Sequence, residues 1–296
     1  MAVIELKNVS FTYNKDTSSA VKALDNVSLS VEAGHITGLI GHTGSGKSTL
    51  VQMINGLLKP DEGEILLDGR DIWEDPKKIR EVRFKAGLVM QYPEYQLFAE
   101  TVREDIAFGP RNMGMSEEEI KKTVSDAAAF SGLSEDMLDK SPFDLSGGQK
   151  RRAALAGVIA MRPRILILDE PAAGLDPSGR RDILGGIKRY SRESGTTVLI
   201  VSHSMEDMAR YCDDIVVMSN TRILMHKTCA EVFSEYSELV AIGLDVPQIT
   251  RIAAALADYG IDIGRDIYTV DYAAGLLQEY IDGKRQPNTV KEEKRV

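Results

Sequence analysis

Gly41-His42-Thr43-Gly44-Ser45-Gly46-Lys47-Ser48-Thr49 fits the pattern G-x-x-x-x-G-K-[ST], the phosphate-binding P-loop. The residues before it, His35 to Ile40, read as a short buried strand, and Ser48 to Ile54 read as the first turns of a helix. That strand–loop–helix context separates the motif from an ordinary glycine-rich turn. Glycines let the backbone adopt positive φ and approach a ligand without a Cβ in the way. Consecutive N–H groups then face one concavity, and the helix N-terminus adds its positive dipole end. Lys47 brings a full charge to the outer phosphates, and the Ser48 hydroxyl is placed to ligate Mg²⁺.

The chain has 296 residues, enough for one large domain or one domain with an appendage. At 43% hydrophobic and 27% charged it can bury a substantial core. The net charge of −9 argues against nucleic-acid binding as the main task, because such proteins carry a basic footprint. The two cysteines, Cys212 and Cys229, read as reduced thiols, and the four histidines show no metal-ligand spacing. Residues 1–7 hold too few apolar residues for a signal peptide, and no run of about 18 apolar residues suggests a membrane span.

Residues 2–33 alternate as strands around a polar loop from Asn14 to Ser19. Tyr13, at the edge of that loop, either stacks on a purine ring or packs on its own sheet; the residues alone leave both open. Ala86 to Met90 reads as a strand that delivers Gln91 to its end, followed by a mixed aromatic and polar segment. From 101 to 160 no strand is predicted. Ser116-Glu117-Glu118-Glu119 is a capping box, with Ile120, Val124, Ala127 and Ala128 on one face of the helix it opens. Leu145-Ser146-Gly147-Gly148-Gln149 leads into another helix, a second anion-binding geometry.

Ile165-Leu166-Ile167-Leu168-Asp169-Glu170 is a continuous apolar strand ending in two carboxylates, as expected of a strand in a parallel sheet. Ligands of such sheets bind at the carboxyl ends of the strands, which sets Asp169 and Glu170 beside the P-loop. Asp169 suits the Mg²⁺ shell and Glu170 suits polarising the attacking water. A turn at Asp176 opens the next helix, and the strand Thr196 to Ser202 ends at His203, which either bonds a γ-phosphate or is a structural histidine; the residues alone leave both open. Asp214–Met218 and Arg222–His226 pair as closing strands. Beyond about 240 come two short helices. One opens at Pro247 with Ile249, Ile252 and Leu256 on one side, and the other runs from Thr269 to Ile281. Residues 283–296 form a charged tail.

The motif set, in this order, resembles the ATPase subunit of ATP-binding cassette transporters over roughly residues 2–235. The Ser-Gly-Gly-Gln sequence is specific to that family among P-loop proteins. The resemblance implies an α/β fold: a P-loop (RecA-like) parallel-sheet core, an antiparallel β subdomain, an inserted helical subdomain at about 94–160, and a small helical C-terminal domain. The cassette would span 1–240, and 241–296 would be a dimer-stabilising piece with the tail. Two cassettes would meet head to tail, so that Ser146, Gly147, Gly148 and Gln149 complete the other cassette's site. Tyr13 and the loop residues Gly41, His42, Thr43, Gly44, Ser45, Gly46, Lys47, Ser48 and Thr49 would hold ATP. Glu170 would be the general base, with His203, Gln91 and Lys47 in the catalytic set. Ser48, Gln91 and Asp169 would hold Mg²⁺, and Asp176 would communicate across the dimer.

A narrower resemblance lies in Gln91-Tyr92-Pro93-Glu94-Tyr95-Gln96-Leu97-Phe98, Phe108-Gly109-Pro110-Arg111-Asn112 and Gln149-Lys150-Arg151-Arg152. These look like energy-coupling-factor ATPases, in the form of the second of two paired subunits. That family powers uptake of vitamins and transition-metal ions from the cytoplasmic face of the cell membrane. Its implied partners are a second similar ATPase in a heterodimer, a membrane coupling subunit and an exchangeable substrate-binding membrane subunit, with no nucleic acid. Residues 91–100 would receive a coupling helix, with Glu94 and Glu100 pairing to its basic residue. The alternatives are another type of cassette transporter, or a soluble cassette ATPase. The single P-loop and the lack of sustained heptads count against the soluble forms. A P-loop kinase would need no Ser-Gly-Gly-Gln.

Overall fold

The computed structural model describes residues 2–282 except 262 and 265. Its strands are β1 (Ala2–Tyr13), β2 (Val21–Glu32), β3 (Ile36–Gly41), β4 (Glu62–Leu67), β5 (Arg70–Asp71), β6 (Ala86–Val89), β7 (Ile165–Asp169), β8 (Thr197–Val201), β9 (Asp214–Ser219) and β10 (Arg222–Thr228). The helices that place the site are α1 (Lys47–Ile54), α2 (Ile79–Lys85), α3 (Val102–Asn112), α4 (Glu117–Ser131), α5 (Glu135–Leu138), α6 (Gly147–Ile159), α7 (Pro177–Ser194) and α8 (Met205–Tyr211).

Six strands form the central sheet in the order β10-β9-β3-β8-β7-β6, with β9 to β6 mutually parallel and β10 antiparallel to β9. β3 and β8 are buried along their whole length, the mark of a parallel sheet covered on both faces. Period-two alternation divides the side chains between two cores. Ile165, Ile167, Leu199, Val201 and Val216 face α1 and the antiparallel sheet, whereas Leu166, Leu168, Val198, Ile200 and Val217 face α6 to α8. The second sheet has the order β2-β1-β4-β5 and closes over α1. β1 and β2 pair antiparallel, with register shifts beside Asn8 and Asn26, both at positive φ.

The expected helical insert is α3 to α6, packed around Ile106, Val124, Leu138 and Ala156. Its starts follow sequence chemistry: Thr101 caps α3, and reciprocal capping boxes open α4 at Ser116 and α6 at Ser146. After β10 come α9 (Cys229–Ser234), α10 (Tyr236–Ala241), α11 (Gln248–Asp258) and α12 (Val270–Ile281). Leu239, Leu244 and Val246 pack into the main core. Beyond Val246, Ala253, Ile263, Ile267, Ala273 and Leu276 form a small core of their own.

The reading of α11 needs one correction. Ile249 and Leu256 pack inward, but Ile252 is 51% exposed and Ala253 takes the inner position. Positions 249, 253 and 256 keep the i, i+4, i+7 stripe, and 252 lies off its edge. The tail 283–296 lies outside the described residues.

Candidate active site

The P-loop runs from β3 into α1, and its conformation depends on Gly46. That residue has φ +105, and a Cβ there would run into the Ala23 carbonyl and come within 2.9 Å of the Leu24 side chain. Lys47 is buried, and its ammonium donates to the carbonyls of Gly41 (2.7 Å) and His42 (3.0 Å). Burial lowers its pKa, while the nearby Glu170 and Asp169 carboxylates raise it. The ammonium is thus held at the bend of the loop by two neutral acceptors.

β7 brings Asp169 to the same point. The Ser48 hydroxyl donates to Asp169 Oδ2 at 3.2 Å, across 121 residues of chain. Burial raises the Asp169 pKa, against the Ser48 hydrogen bond and the charges of Lys47 and His203. Glu170 follows with φ +53, a left-handed conformation that costs a non-glycine residue on the order of 1–3 kcal/mol. Its N–H donates to the Val201 carbonyl at 3.0 Å, which anchors it to the end of β8. Its Oε1 is buried without a hydrogen-bond partner, and His203 Nε2 lies 3.6 Å away. Burial raises the Glu170 pKa, Asp169 adds to the rise, and the His203 backbone N–H and Lys47 oppose it. The His203 pKa is lowered by burial and by Lys47.

These side chains line one recess of about 540 Å³ together with Tyr13, Thr43, Gly44, Gly46, Thr49 and Gln91. Its size and chemistry suit a nucleotide: the Lys47 ammonium and exposed loop amides at the base, carboxylates to one side, an aromatic ring at the mouth. The Tyr13 hydroxyl lies 3.2 Å from Thr49 Oγ1, and its ring meets Phe11 edge to face at 4.8 Å. With 37% exposure, its outer face is open to the recess. Three other loop residues stay off the walls. Gly41 and His42 contribute carbonyls to Lys47, the Asn220 N–H donates to His42 Nε2 at 3.5 Å, and the Ser45 side chain is buried.

Val21, Lys22 and Ala23 also line the recess, and the sequence reading missed them. They open β2 after the polar loop, and a strand start carries no signal of what it borders.

Ser146, Gly148, Gln149 and Asp176 line a different recess, of about 510 Å³, which shares no residue with the first. The Ser146 hydroxyl accepts the Gln149 N–H, and the Ser146 N–H donates to Gln149 Oε1 at 2.9 Å. The N–H groups of Gly147 and Gly148, in the first turn of α6, stay without intrahelical acceptors. Asp176 caps α7 by accepting the Gly179 N–H at 3.1 Å.

Glu94 needs a second correction. Rather than facing outward for a partner, it is ion-paired with Arg151 at 3.0 Å, and its side chain is only 17% exposed. Glu100 is exposed, as expected.

The profile of the ABC transporter family matches residues 24–173. Another, described as an AAA domain, putative AbiEii toxin, Type IV TA system, matches residues 141–208. The energy-coupling factor transporter ATP-binding protein EcfA2 of Clostridium acetobutylicum is 53% identical, over 91% of this chain and 95% of that protein. The chain belongs to the ATP-binding cassette family. Within this family it groups with the energy-coupling-factor ATP-binding proteins. The EcfA2 protein of Caldanaerobacter subterraneus is 50% identical over 95% of this chain and 99% of its own length.

Solved cassettes agree. That of cbiO1 from Clostridium perfringens, part of the ABC transporter complex cbiONQ, superposes with a TM-score of 0.73 at 36% identity, covering 86% of this chain and 99% of that one. A cassette named MJ0796, in a dimeric post-hydrolysis state bound to ADP and Pi, gives 0.69 at 30% identity, covering 76% and 98%. As a cassette ATPase, the chain binds ATP and hydrolyses it in the service of transport. Among the described residues no helix is long and apolar enough to cross a membrane.

Proposed function

We propose that the chain is one of two cassettes in an energy-coupling-factor importer for vitamins or transition-metal ions, bound to the cytoplasmic face of the membrane. One observation carries the reading: the P-loop recess and the Ser146–Gln149 recess share no residue. A nucleotide on Lys47 and Ser48 lacks the donors that Ser146, Gly147 and Gly148 offer, and a second cassette arranged head to tail supplies them. Binding at both recesses then favours the closed pair, and hydrolysis reopens it.

In this scheme Tyr13 stacks on the adenine, and Lys47 with the loop amides holds the β- and γ-phosphates. Glu170, half-buried and with an oxygen free of hydrogen bonds, accepts the proton of the attacking water. His203, beside it, contacts the γ-phosphate. Ser48, Asp169 and Gln91 form an all-oxygen donor set, two of them already 3.2 Å apart, which fits Mg²⁺. The ion, when bound, would neutralise charge on the phosphate oxygens. Asp176 lines the recess that takes the second cassette's nucleotide.

The membrane contact is assigned to an apolar groove of about 270 Å³ lined by Phe84, Leu97, Phe108 and Val158. Phe98 and Tyr95 stand exposed in the adjoining segment. This groove receives a coupling helix from a membrane subunit, which also carries a substrate-binding membrane subunit. The exposed Ile252, Tyr259, Val270 and Tyr272 of the C-terminal helices support contact with the second cassette.

The test is a pull-down from detergent-solubilised membranes. Co-purification of a second cassette and hydrophobic subunits is the expected result. A ribosome or DNA as the sole companion would refute the assignment.

A further inference from the structure

Among the described residues, the least exposed ion pair outside the nucleotide recess joins Arg151 to Glu94. Arg151 Nη2 donates to Glu94 Oε1 at 3.0 Å and Nε reaches Oε2 at 3.3 Å, a side-on two-point contact. Its remaining terminal nitrogen, Nη1, donates to the Ala173 carbonyl. The side chains are 7% and 17% exposed, so both charges are largely withdrawn from solvent. A buried pair of this kind is weak evidence for stability, because desolvation offsets most of the attraction. What it fixes is geometry, since a planar guanidinium can satisfy two acceptors only in one arrangement.

Both acceptors belong to turns that begin at strained residues. Tyr92, directly after Gln91, has φ +56, and the Tyr95 N–H closes onto its carbonyl at 3.2 Å, with Glu94 inside that turn. Glu170 has φ +53, and the Ala173 N–H closes onto the Glu170 carbonyl at 3.2 Å. Left-handed conformations at non-glycine residues persist only when the surroundings over-determine them. A single guanidinium, mounted on the helix that Ser146 caps, grips both turns.

We infer that Arg151 is a positioning residue for hydrolysis: it orients Gln91 and Glu170 together and locks both to the Ser146–Gln149 helix. A shift of α6 against the sheet therefore moves both groups at once. The inference uses the ATPase chemistry alone and stands whether or not the apolar groove takes a membrane helix.

The test uses the purified full-length chain with the subunits that co-purify with it, comparing Arg151→Lys, Glu94→Gln and the double variant. Lysine keeps the charge opposite Glu94 but cannot hold both acceptors. Arg151→Lys is expected to lower kcat for ATP on the order of tenfold while KM changes less than about twofold, because Tyr13, Lys47 and the loop amides are untouched. Glu94→Gln is expected to lower kcat in the same way, and the double variant to fall no further than the worse single one, as for residues acting as a unit. Melting curves run alongside. A folded Arg151→Lys with wild-type kcat overturns the proposal, and so does a loss of rate that tracks only the loss of folded protein. Should Arg151→Lys fail to fold, the decision passes to Glu94→Gln, where an unchanged kcat is equally fatal. A charge-reversed pair, Glu94→Arg with Arg151→Glu, restores the ion pair but not the Ala173 bond. Wild-type turnover from that pair would also refute the role.

Discussion

The two recesses of this cassette are built in opposite ways. Around the P-loop, the polypeptide is crowded and out of balance: Gly46 has no room for a Cβ, Lys47 is buried, and Glu170 is left-handed with an oxygen lacking a partner. Around Ser146 the chain is relaxed. The cap is reciprocal, and Cβ atoms at Gly147 and Gly148 would meet open space. The first recess stores a conflict within its own walls. The second stores none, and its small residues keep room for something that arrives from outside. A ligand pocket complete in one chain would not divide its labour in this way.

The largest expected effect strikes the crowded side. Glu170→Gln should cut phosphate release on the order of a hundredfold or more, the scale of a lost general base, while ATP stays bound. Size-exclusion chromatography with MgATP should then show a trapped pair of cassettes. Turnover near wild type would remove Glu170 from its role.

Gly148→Asp attacks the relaxed side. A carboxylate at that N-terminus repels a phosphate, so turnover of the assembled pair should fall about tenfold or more. ATP binding by the isolated chain, whose own P-loop is untouched, should stay at the wild-type value. If that binding falls too, the separation of the two recesses is wrong.

Gly46→Ala adds a methyl where φ is +105 and the Ala23 carbonyl blocks it. A melting temperature lower by several degrees and weaker ATP binding are expected, since strain of about 1–3 kcal/mol has nowhere to relax. Gly147→Ala, in open space, should leave the melting temperature within about one degree.

The smallest effect concerns pH. Burial raises the folded-state pKa of Glu170 above its ordinary value of 4.5. A group raised in this way adds stability below its unfolded pKa and loses it as pH rises through the folded one. The ionised form of this carboxylate is therefore a burden on the nucleotide-free chain, and the burden grows as pH rises. Glu170→Gln should melt higher than wild type at pH 7, by about 2–4 °C per kcal/mol relieved, and the gain should vanish near pH 4. A lower melting temperature at pH 7 would contradict the sign. The variant that loses the most rate would thus gain stability.

Much of this contrast was legible in the sequence. The strand–loop–helix at 36–54, the apolar strand ending at Asp169 and the capping box at Ser116 are local patterns, and the fold repeats them. What escaped were side-chain meetings between distant segments. Glu94 and Arg151 lie 57 positions apart, and nothing in the period of either segment announces the pairing. Exposed Glu94 was the natural reading of a charge in a polar loop, and only the packing of α6 against residues 93–96 reverses it. Ile252 failed for a smaller reason: an amphipathic stripe is drawn by angle, and a residue at its edge falls to the side that tertiary contacts choose. Lys22 borders the P-loop because β2 begins there, a fact of topology rather than of composition.

The left-handed turn at Glu170 also narrows which residues can ever replace it. Valine, isoleucine and threonine are poorly tolerated at φ +53, whereas asparagine, aspartate and glycine settle there readily. If a cassette of this kind were to lose its chemistry and persist as a passive half of a pair, its silenced position should draw from that short polar or glycine set. An aliphatic β-branched residue there would point to a rebuilt loop.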